Sequence, residues 1–409
     1  MEELCIRFSH LSEKIFDSLD NDSIINCKEA SRFWFNFLDG QKLVQIRIIK
    51  ATVEQFHSIG ESWNKVFNSA STKTIMTLGV AINRFYNKDL GLRYYEGLTP
   101  IHVAAATGDL LLLTKLQEKT LDKHPKDNED CTPLYYAAKN GHLEVCEDLI
   151  EKIDNKNPAN NNGSTPLHMA AHNNHFKLCK LMIKHVGNKN LKDNDGYTPL
   201  HWAAQSGHID TCELLTMHFV DKNPASNNGN TPLHMAAKHG HLKVCEILTK
   251  NLVNKNPESI HGITPLHYAA YYGSMEIYML LSDHLMNINP SLDNGSTPLH
   301  IAALRGHLKI CKLIIDRLQN KNPGNIINIT PLHFAAKYGH SDVCELILEN
   351  VQNKTPETQD GRTPAMLAIY NNHWELGQLL KDAGKAKSGE HLATQFVRDE
   401  KRRKLNESQ

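Results

Sequence analysis

The amino-acid sequence predicts an all-α solenoid, and its internal repetition is the main reason. The dipeptide Thr-Pro stands at nine positions from Thr99 to Thr363 that are each 33 residues apart. Whole units align around it, as in GSTPLHMAAHNNHFKLCKLMIKHV and GSTPLHIAALRGHLKICKLIIDRL. Self-similarity at a fixed period of this length is typical of arrays in which one small helical unit stacks on the next.

A short first helix is predicted to begin at each Thr-Pro, because Thr is a good N-cap and Pro suits the first helical position. Nine residues after the Thr, seven units have a glycine such as Gly306, and the other two have Asn174 and Asn372. Two residues before the Thr, seven units again have glycine, and the exceptions are Asp130 and Asn328. Asn and Asp tolerate positive φ best after glycine, so a left-handed turn is predicted at both places.

A second helix is predicted after the turn, as in HLEVCEDLIEKI at residues 142–153, where the apolar residues lie on one face. A linker of the NKNP type, as at residues 155–158, then leads into the next unit. Two antiparallel helices and a hairpin cannot bury their own apolar faces, so each unit must pack on its neighbours.

The units resemble the ankyrin-repeat family, whose G-x-TPLHxAAxxGH signature and 33-residue period are both met over about residues 94–383. The resemblance implies nine ankyrin repeats, each a helix–turn–helix with a hairpin, and a protein partner bound on the concave face.

The N-terminal residues 10–40 resemble an F-box in the order of their helices and turns. Leu19-Asp20 matches the "LD" of that family, residues 24–27 match its "LLNC", and Trp34 matches its terminal Trp. The leading Leu-Pro is missing, and Ala30-Ser31 replaces the usual Val-Cys. The resemblance implies docking on a Skp-family adaptor, which joins a cullin, through an apolar helix face. That face would consist of Ile15, Phe16, Leu19, Ile24, Ile25 and Trp34. The alternative is a helical cap that covers the first repeat.

Four segments are therefore expected along the chain. They are an F-box-like helical segment at 1–45, a helical spacer or N-terminal cap at 46–93, the nine repeats at 94–383 and a charged tail at 384–409. Within the tail, Lys401–Lys404 is either a nuclear-import signal or part of a solvated basic segment.

The composition argues against several classes of partner. Acidic and basic residues balance at 45 each, so no overall field favours nucleic acid or an anionic membrane. The opening MEELCIRFSH lacks the apolar core of a signal peptide, and nowhere do eighteen apolar residues run together. Nine cysteines, an odd number, favour reduced thiols. We expect a cytoplasmic or nuclear protein that is a monomer outside its complex.

Histidine and cysteine are abundant, but their positions follow the repeat. Fourteen of the 24 histidines close the TPLH unit or follow the helix-ending turn, and six cysteines share one second-helix position. Neighbouring second helices stand ~8–10 Å apart, too far for disulfides, and the spacing does not suit tetrahedral metal ligation. No phosphate loop, nucleophile elbow or His-Glu-x-x-His motif is present. We therefore expect no enzyme activity, no catalytic residues, no metal and no cofactor.

The family resemblance places the variable, solvent-facing positions just before the Thr and near the end of the first helix. These positions are polar in repeats three to five but become apolar, aromatic and basic from repeat six onward. The predicted partner-binding residues are Ile263, Tyr271, Tyr272, Leu304, Arg305, Ile327, Ile329, Lys337, Tyr338, Arg362 and Tyr370. Tyr and Arg are enriched at binding hot spots, so Tyr271 and Tyr272 are expected at the centre. The alternatives are drift at unconstrained positions and a patch covered by the tail. Tyr268 and Tyr278 are expected to fill the core.

The sequence thus predicts a substrate-recognition subunit of a Skp–cullin–F-box type ubiquitin ligase that binds a protein target. The alternative is an ankyrin scaffold or inhibitor protein with no ligase role.

Overall fold

The computed structural model describes residues 97–250, 252–283 and 285–385. This part of the chain contains α-helices, one short 3-10 turn (Ile260–Gly262) and no strand. It belongs to two compact units, one with residues up to Ala203 and Leu214–Val220, the other with Ala204–Glu213 and residues from Asp221 onward. The F-box-like segment, the predicted spacer and nearly all of the tail lie outside the described residues.

The first unit contains three complete helix pairs. Its helices are α1 (Pro100–Thr107), α2 (Leu110–Lys119), α3 (Pro133–Asn140), α4 (Leu143–Lys152), α5 (Pro166–His172) and α6 (Phe176–His185). Helices α1, α3 and α5 pack side by side, and each packs on the second helix of its own pair. The boundary between the units divides α7 (Pro199–Ser206) and α8 (Ile209–His218).

The second unit contains five complete helix pairs. Its helices are α9 (Pro232–Lys238), α10 (Leu242–Thr249), α11 (Pro265–Tyr272), α12 (Met275–Ser282), α13 (Pro298–Arg305), α14 (Leu308–Arg317), α15 (Pro331–Lys337), α16 (Ser341–Asn350), α17 (Pro364–Tyr370) and α18 (Trp374–Lys385). The first helices of the pairs, from α9 to α17, form one layer. The second helices α10, α12, α14 and α16 form another.

The first helices start and stop as the sequence predicts. Thr297 has extended backbone angles at the N-cap of α13, and Pro298 follows at the first helical position. The helix ends at Gly306, whose φ is +74°. The asparagines that replace glycine at this turn also adopt positive φ, +59° at Asn174 and +67° at Asn372. The predicted left-handed turns are confirmed.

The second helices contribute one apolar face each to the core. On α14 this face is formed by Ile310, Cys311, Ile314 and Ile315, all fully or almost fully buried. Burying an aliphatic side chain of this size stabilises a fold by about 1.5–3 kcal/mol. Because α14 packs on α13 of its own repeat and lies between α12 and α16, this face is covered partly by its own repeat and partly by the neighbouring ones.

Successive hairpins are joined by backbone hydrogen bonds at their tips. In the second unit the amide of Ile260 donates to the carbonyl of Asn228 at 3.0 Å, and the amide of Ile326 donates to the carbonyl of Asn294 at 3.1 Å. Linker asparagines add a hydrogen bond from the linker to the first helix that follows it, since Oδ1 of Asn322 accepts from the amide of Leu332 at 3.0 Å. These bonds hold each hairpin at a set height relative to the next.

In most repeats the histidine at the end of the TPLH motif forms a bridge to the next repeat, whereas Nε2 of His267 is buried without a hydrogen-bond partner among the described residues. In α13, Nδ1 of His300 accepts from the amide of Thr297 at 3.1 Å, and Nε2 lies 3.0 Å from the carbonyl oxygen of Ile329 in the next repeat. A carbonyl can only accept, so Nε2 carries the proton and Nδ1 is the acceptor. Four further histidines have the same two partners: His102, His168, His234 and His333.

The histidine that follows the helix-ending turn forms a second bridge, in the opposite direction along the chain. Nε2 of His340 lies 3.0 Å from the carbonyl oxygen of Leu304, one repeat earlier. The ring occupies the space beside Gly306, where an added Cβ would come within 2.5 Å of His340 Nδ1. Glycine suits this position in α13, because a Cβ at Gly306 would meet the ring and the φ is positive.

The sixth repeat, which begins at Thr264, lacks this second bridge because Ser274 replaces the histidine. The Ser274 side chain forms no cap hydrogen bond, and a Cβ added at Gly240 would find no atom closer than 4.0 Å. Space for an imidazole is therefore open between the fifth and sixth repeats.

We expect Ser274→His to stabilise the protein by about 1 kcal/mol, the net value of one buried hydrogen bond. The new ring would fill the space beside Gly240 and donate to the carbonyl of Lys238, as His307 does to that of Tyr271 at 3.1 Å one repeat later. The measurement is the free energy of unfolding in urea, with Ser274→Ala as the control for loss of the hydroxyl. A midpoint for Ser274→His at or below that of the wild type would contradict this account.

The buried histidines also predict that the fold weakens in acid. Burial disfavours the imidazolium and lowers the pKa from 6.5 to about 4 at His102, His168, His234, His267 and His300. Between these two pKa values the unfolded chain binds more protons than the folded one, so acid favours unfolding. The neutral buried imidazoles contribute fully to the free energy of unfolding above pH 6.5, and this contribution is lost as the pH falls toward 4.

We expect the urea midpoint to be level from about pH 8 to about pH 7 and to fall steadily below pH 6.5. Equilibrium unfolding at a series of pH values, at constant ionic strength, is the measurement. A midpoint that stays constant down to about pH 5 would show that these imidazoles are charged in the folded protein.

Candidate functional site

The histidines and cysteines of the described residues are arranged as scaffold. No group of three or more His, Cys, Asp or Glu side chains in that part of the chain is placed to hold a metal ion. In the bridging histidines such as His300, the lone pair of Nδ1 and the proton of Nε2 are both engaged. Burial raises the pKa of the Cys311 thiol to about 12, so it remains protonated and is a poor nucleophile. Among the same residues, no helix is long and apolar enough to cross a membrane.

The ends of the first helices present side chains to solvent in the second unit. The last residues of each of these helices stand just before the helix-ending turn, where the neighbouring helices of the layer do not cover them. Tyr271 and Tyr272 end α11, with 40% and 49% of their surfaces exposed. The carbonyl of Tyr271 accepts from Nε2 of His307, so the histidine bridge holds this end of the helix in place.

Tyr271, Tyr272 and Arg305 are brought together, and we call them the tyrosine–arginine cluster. The two tyrosine rings meet edge to face, with centroids 4.9 Å apart. The guanidinium of Arg305, at the end of α13, lies over the Tyr271 ring at 4.7 Å from its centroid. A cation over an aromatic ring at an exposed site contributes about 0.5–1 kcal/mol, so the three side chains support one another without any partner.

A second cation–ring pair lies in the eighth repeat, where Nζ of Lys337 stands 5.4 Å from the centroid of Tyr338. Tyr338 is exposed and Lys337 is half-buried. A third pair was not predicted: Nζ of Lys238 stands 6.0 Å from the centroid of Tyr268. Tyr268 was expected to fill the core but is only half-buried, because the side that faces α9 is open to Lys238.

The predicted hairpin-tip residues divide into exposed and half-buried ones. Ile327 is exposed, whereas Ile263 and Ile329 are half-buried, and their carbonyls accept from the bridging histidines His234 and His300. Arg362 is exposed. These backbone bonds fix the height of the tips and leave part of each isoleucine facing outward.

The remaining predicted residues lie at the helix ends. Leu304 is half-buried next to Arg305, and Tyr370 at the end of α17 is the most open of the set, with 85% of its surface exposed. Tyr278, expected to fill the core, is fully buried, and its hydroxyl donates to the carbonyl of Ile288 at 2.6 Å.

Acidic groups on the hairpin tips already have partners. Asp360 accepts from the hydroxyl of Thr358 at 2.8 Å and pairs with Nε of Arg362 at 2.9 Å. The Thr358 hydrogen bond is the main reason why the pKa of Asp360 is lowered. Asp293 lies 3.2 Å from Nδ1 of His261, a residue that adopts a φ of +64°. His261 was not among the predicted site residues, and the one sequence feature that marks its position is the adjacent Gly262.

The stacked helix pairs with protruding hairpins define a helical repeat protein. A sequence model of the family described as Ankyrin repeats (3 copies) matches residues 70–160, 149–226, 189–259, 248–325 and 316–389. The chain therefore belongs to the ankyrin-repeat family. Its repeats indicate a protein–protein interaction module, in a fold that is typically a non-enzymatic binding scaffold. A comparison with curated protein sequences found none that matches this chain.

The two kinds of tyrosine are expected to respond differently to substitution. Tyr271→Ala/Tyr272→Ala removes exposed rings, so we expect a change in the free energy of unfolding of about 1 kcal/mol or less. Tyr278→Ala removes a buried ring from the same repeat, and we expect a loss of about 3–5 kcal/mol. Urea unfolding of the full chain provides both values. A large loss for the exposed pair would mean that these rings stabilise the fold rather than remain available to a partner.

Proposed function

We propose that the chain binds a protein partner on one face of the second unit, with Tyr271 and Tyr272 at its centre. We call this the partner face; it comprises the first-helix ends and hairpin tips from Ile263 to Tyr370. The observation that carries the proposal is the tyrosine–arginine cluster, in which two exposed rings and a guanidinium are already in place. Tyr and Arg are the residue types that most often dominate binding energy, and side chains held before binding lose little entropy.

The tips extend the apolar character of the partner face. Ile326 and Ile327 are exposed next to each other at the tip of the eighth repeat. Isolated exposed apolar residues are ordinary on protein surfaces, but several in successive repeats of one face are typical of an interface. The tail is a poor cover for this face, since in residues 386–409 basic residues outnumber acidic ones and the nearby helix ends are basic too.

We propose further that the chain is the substrate-recognition subunit of a Skp–cullin–F-box type ubiquitin ligase. The support is the F-box resemblance alone, in Ile15, Phe16, Leu19, Ile24, Ile25 and Trp34. An apolar helix face of this kind suits docking into a groove on an adaptor. Other subunits would carry out the ubiquitin transfer, while the repeats hold the target in the cytoplasm or nucleus. The competing proposal is an ankyrin scaffold or inhibitor whose N-terminal helices only cap the first repeat.

One affinity-capture experiment tests both proposals. The tagged full chain is expressed in cells as wild type, as Ile15→Asp/Leu19→Asp and as Tyr271→Ala/Tyr272→Ala, and the captured proteins are quantified by mass spectrometry. We expect the first variant to lose a Skp-family adaptor and cullin but keep the target, because charge in an apolar groove is costly. The second variant should lose the target by ~10-fold or more and keep the adaptor.

Met279→Ala is the matched control, since Met279 is an exposed residue of the same repeat on the second helix α12. It should capture the same proteins as the wild type. If the wild-type chain captures no adaptor, the ligase proposal is wrong and the scaffold proposal stands. If the Tyr271→Ala/Tyr272→Ala variant captures every protein as well as the wild type does, the proposed partner face is wrong.

A further inference from the structure

We propose that the partner face of the second unit, together with Lys238 of the adjoining fifth repeat, binds an extended peptide segment that has acidic and apolar side chains at regular spacing. This inference rests on the proposed partner face and adds the chemistry of what binds there. Its basis is the distribution of charge between the two helix layers, together with three cations that each face an aromatic ring.

The first helices of the second unit contain no acidic residue. Their sequences are PLHMAAK (α9), PLHYAAYY (α11), PLHIAALR (α13), PLHFAAK (α15) and PAMLAIY (α17). Each second helix of the same repeats contains at least one Asp or Glu, as in LKVCEILT (α10) and SDVCELILEN (α16). The chain as a whole is neutral, so this separation gives the first-helix layer a positive face.

The cations on this layer are available to an anionic group. Lys238, Arg305 and Lys337 each stand over an aromatic ring, and within the described residues none of the three forms an ion pair. On the nearby tips, Asp293 and Asp360 are already paired with His261 and Arg362, and Glu258 and Glu357 are the exposed acidic residues of the same hairpin segments. A ring beneath a cation positions it but does not neutralise it, so a carboxylate from a partner would complete each pair.

The spacing of the helices sets a pattern for the bound segment. Neighbouring helices in a layer stand ~8–10 Å apart, and one turn of an extended polyproline II segment, which contains three residues, rises ~9 Å. A segment in this conformation that crosses the layer therefore presents every third side chain to successive repeats. From the fifth to the eighth repeat those side chains would meet Lys238, the pair Tyr271 and Tyr272, Arg305 and Lys337. The matching pattern is acidic, apolar, acidic, acidic, with two residues between each.

A peptide fits this surface better than a nucleic acid does. Exposed Ile326 and Ile327 at the tip of the eighth repeat offer apolar contacts that a phosphate backbone would not use. The surface also lacks the continuous basic stripe typical of nucleic-acid binding, because tyrosines stand between Lys238 and Arg305.

The test is selection of a random-peptide display library on the immobilised full chain, repeated on the Tyr271→Ala/Tyr272→Ala variant. We expect the peptides that require the two tyrosines to be enriched in the order acidic, apolar, acidic, acidic at every third position. Enrichment of neutral or basic peptides that still require the tyrosines would overturn the acidic segment and leave the partner face standing. The absence of any tyrosine-dependent peptide would overturn both.

The best selected peptide is then measured by fluorescence anisotropy against charge-reversal variants. Arg305→Glu/Lys337→Glu should weaken its binding by ~10-fold or more, and added salt should weaken it further. Lys309→Glu/Lys312→Glu makes the same charge change at exposed lysines of the second helix α14, and we expect binding to stay within ~2-fold of wild type. Equal weakening by both variants would mean that binding depends only on net charge, and it would overturn the proposal. Tighter binding of a short oligouridylate than of any selected peptide would also overturn it.

Discussion

The repeats are held together by buried imidazoles that are neutral and hydrogen-bonded on both sides. In His300, Nδ1 accepts a hydrogen bond from the amide of Thr297, and Nε2–H donates a hydrogen bond to the carbonyl of Ile329. A buried polar group left without a partner is costly, so each such ring requires the next repeat at its correct distance. The apolar faces of both helix layers also stabilise the array, but non-directional apolar contacts alone would tolerate sliding. The imidazoles define the register in which those faces are buried.

Histidine bridges also hold the backbone of the partner face in place. The second set of histidines donates to carbonyls at the ends of the first helices, where His307 holds Tyr271 and His340 holds Leu304. The side chains proposed to meet a partner therefore stand on backbone that is tied to the following repeat. A binding surface on such ends is rigid without burying its own side chains, which reduces the entropy lost on binding. The sixth repeat carries both tyrosines and has Ser274 in place of the histidine, so its own turn is not tied back to Lys238 in this way.

Charge is separated between the two helix layers although the chain is neutral. Acidic residues of the second unit lie on the second helices and the hairpins, while the first helices carry only neutral or basic side chains. Composition alone argues against a steering field, and for the whole chain that expectation is reasonable. A repeat array can nevertheless present a local field, because the same helix position returns to the same face in every repeat.

The helix starts and the left-handed turns could be predicted because they depend on residues close together within one 33-residue period. Thr-Pro and Asn174 each act through local backbone geometry, which a sequence records directly. The cation–ring pairs could not be predicted from the sequence. Arg305 over Tyr271 and Lys238 over Tyr268 join different repeats, and their distances depend on how the first helices pack. The sequence by itself determined the repeat and the types of residue on its variable positions. Only the tertiary structure decided which of those side chains meet, because stacking sets the distance between repeats.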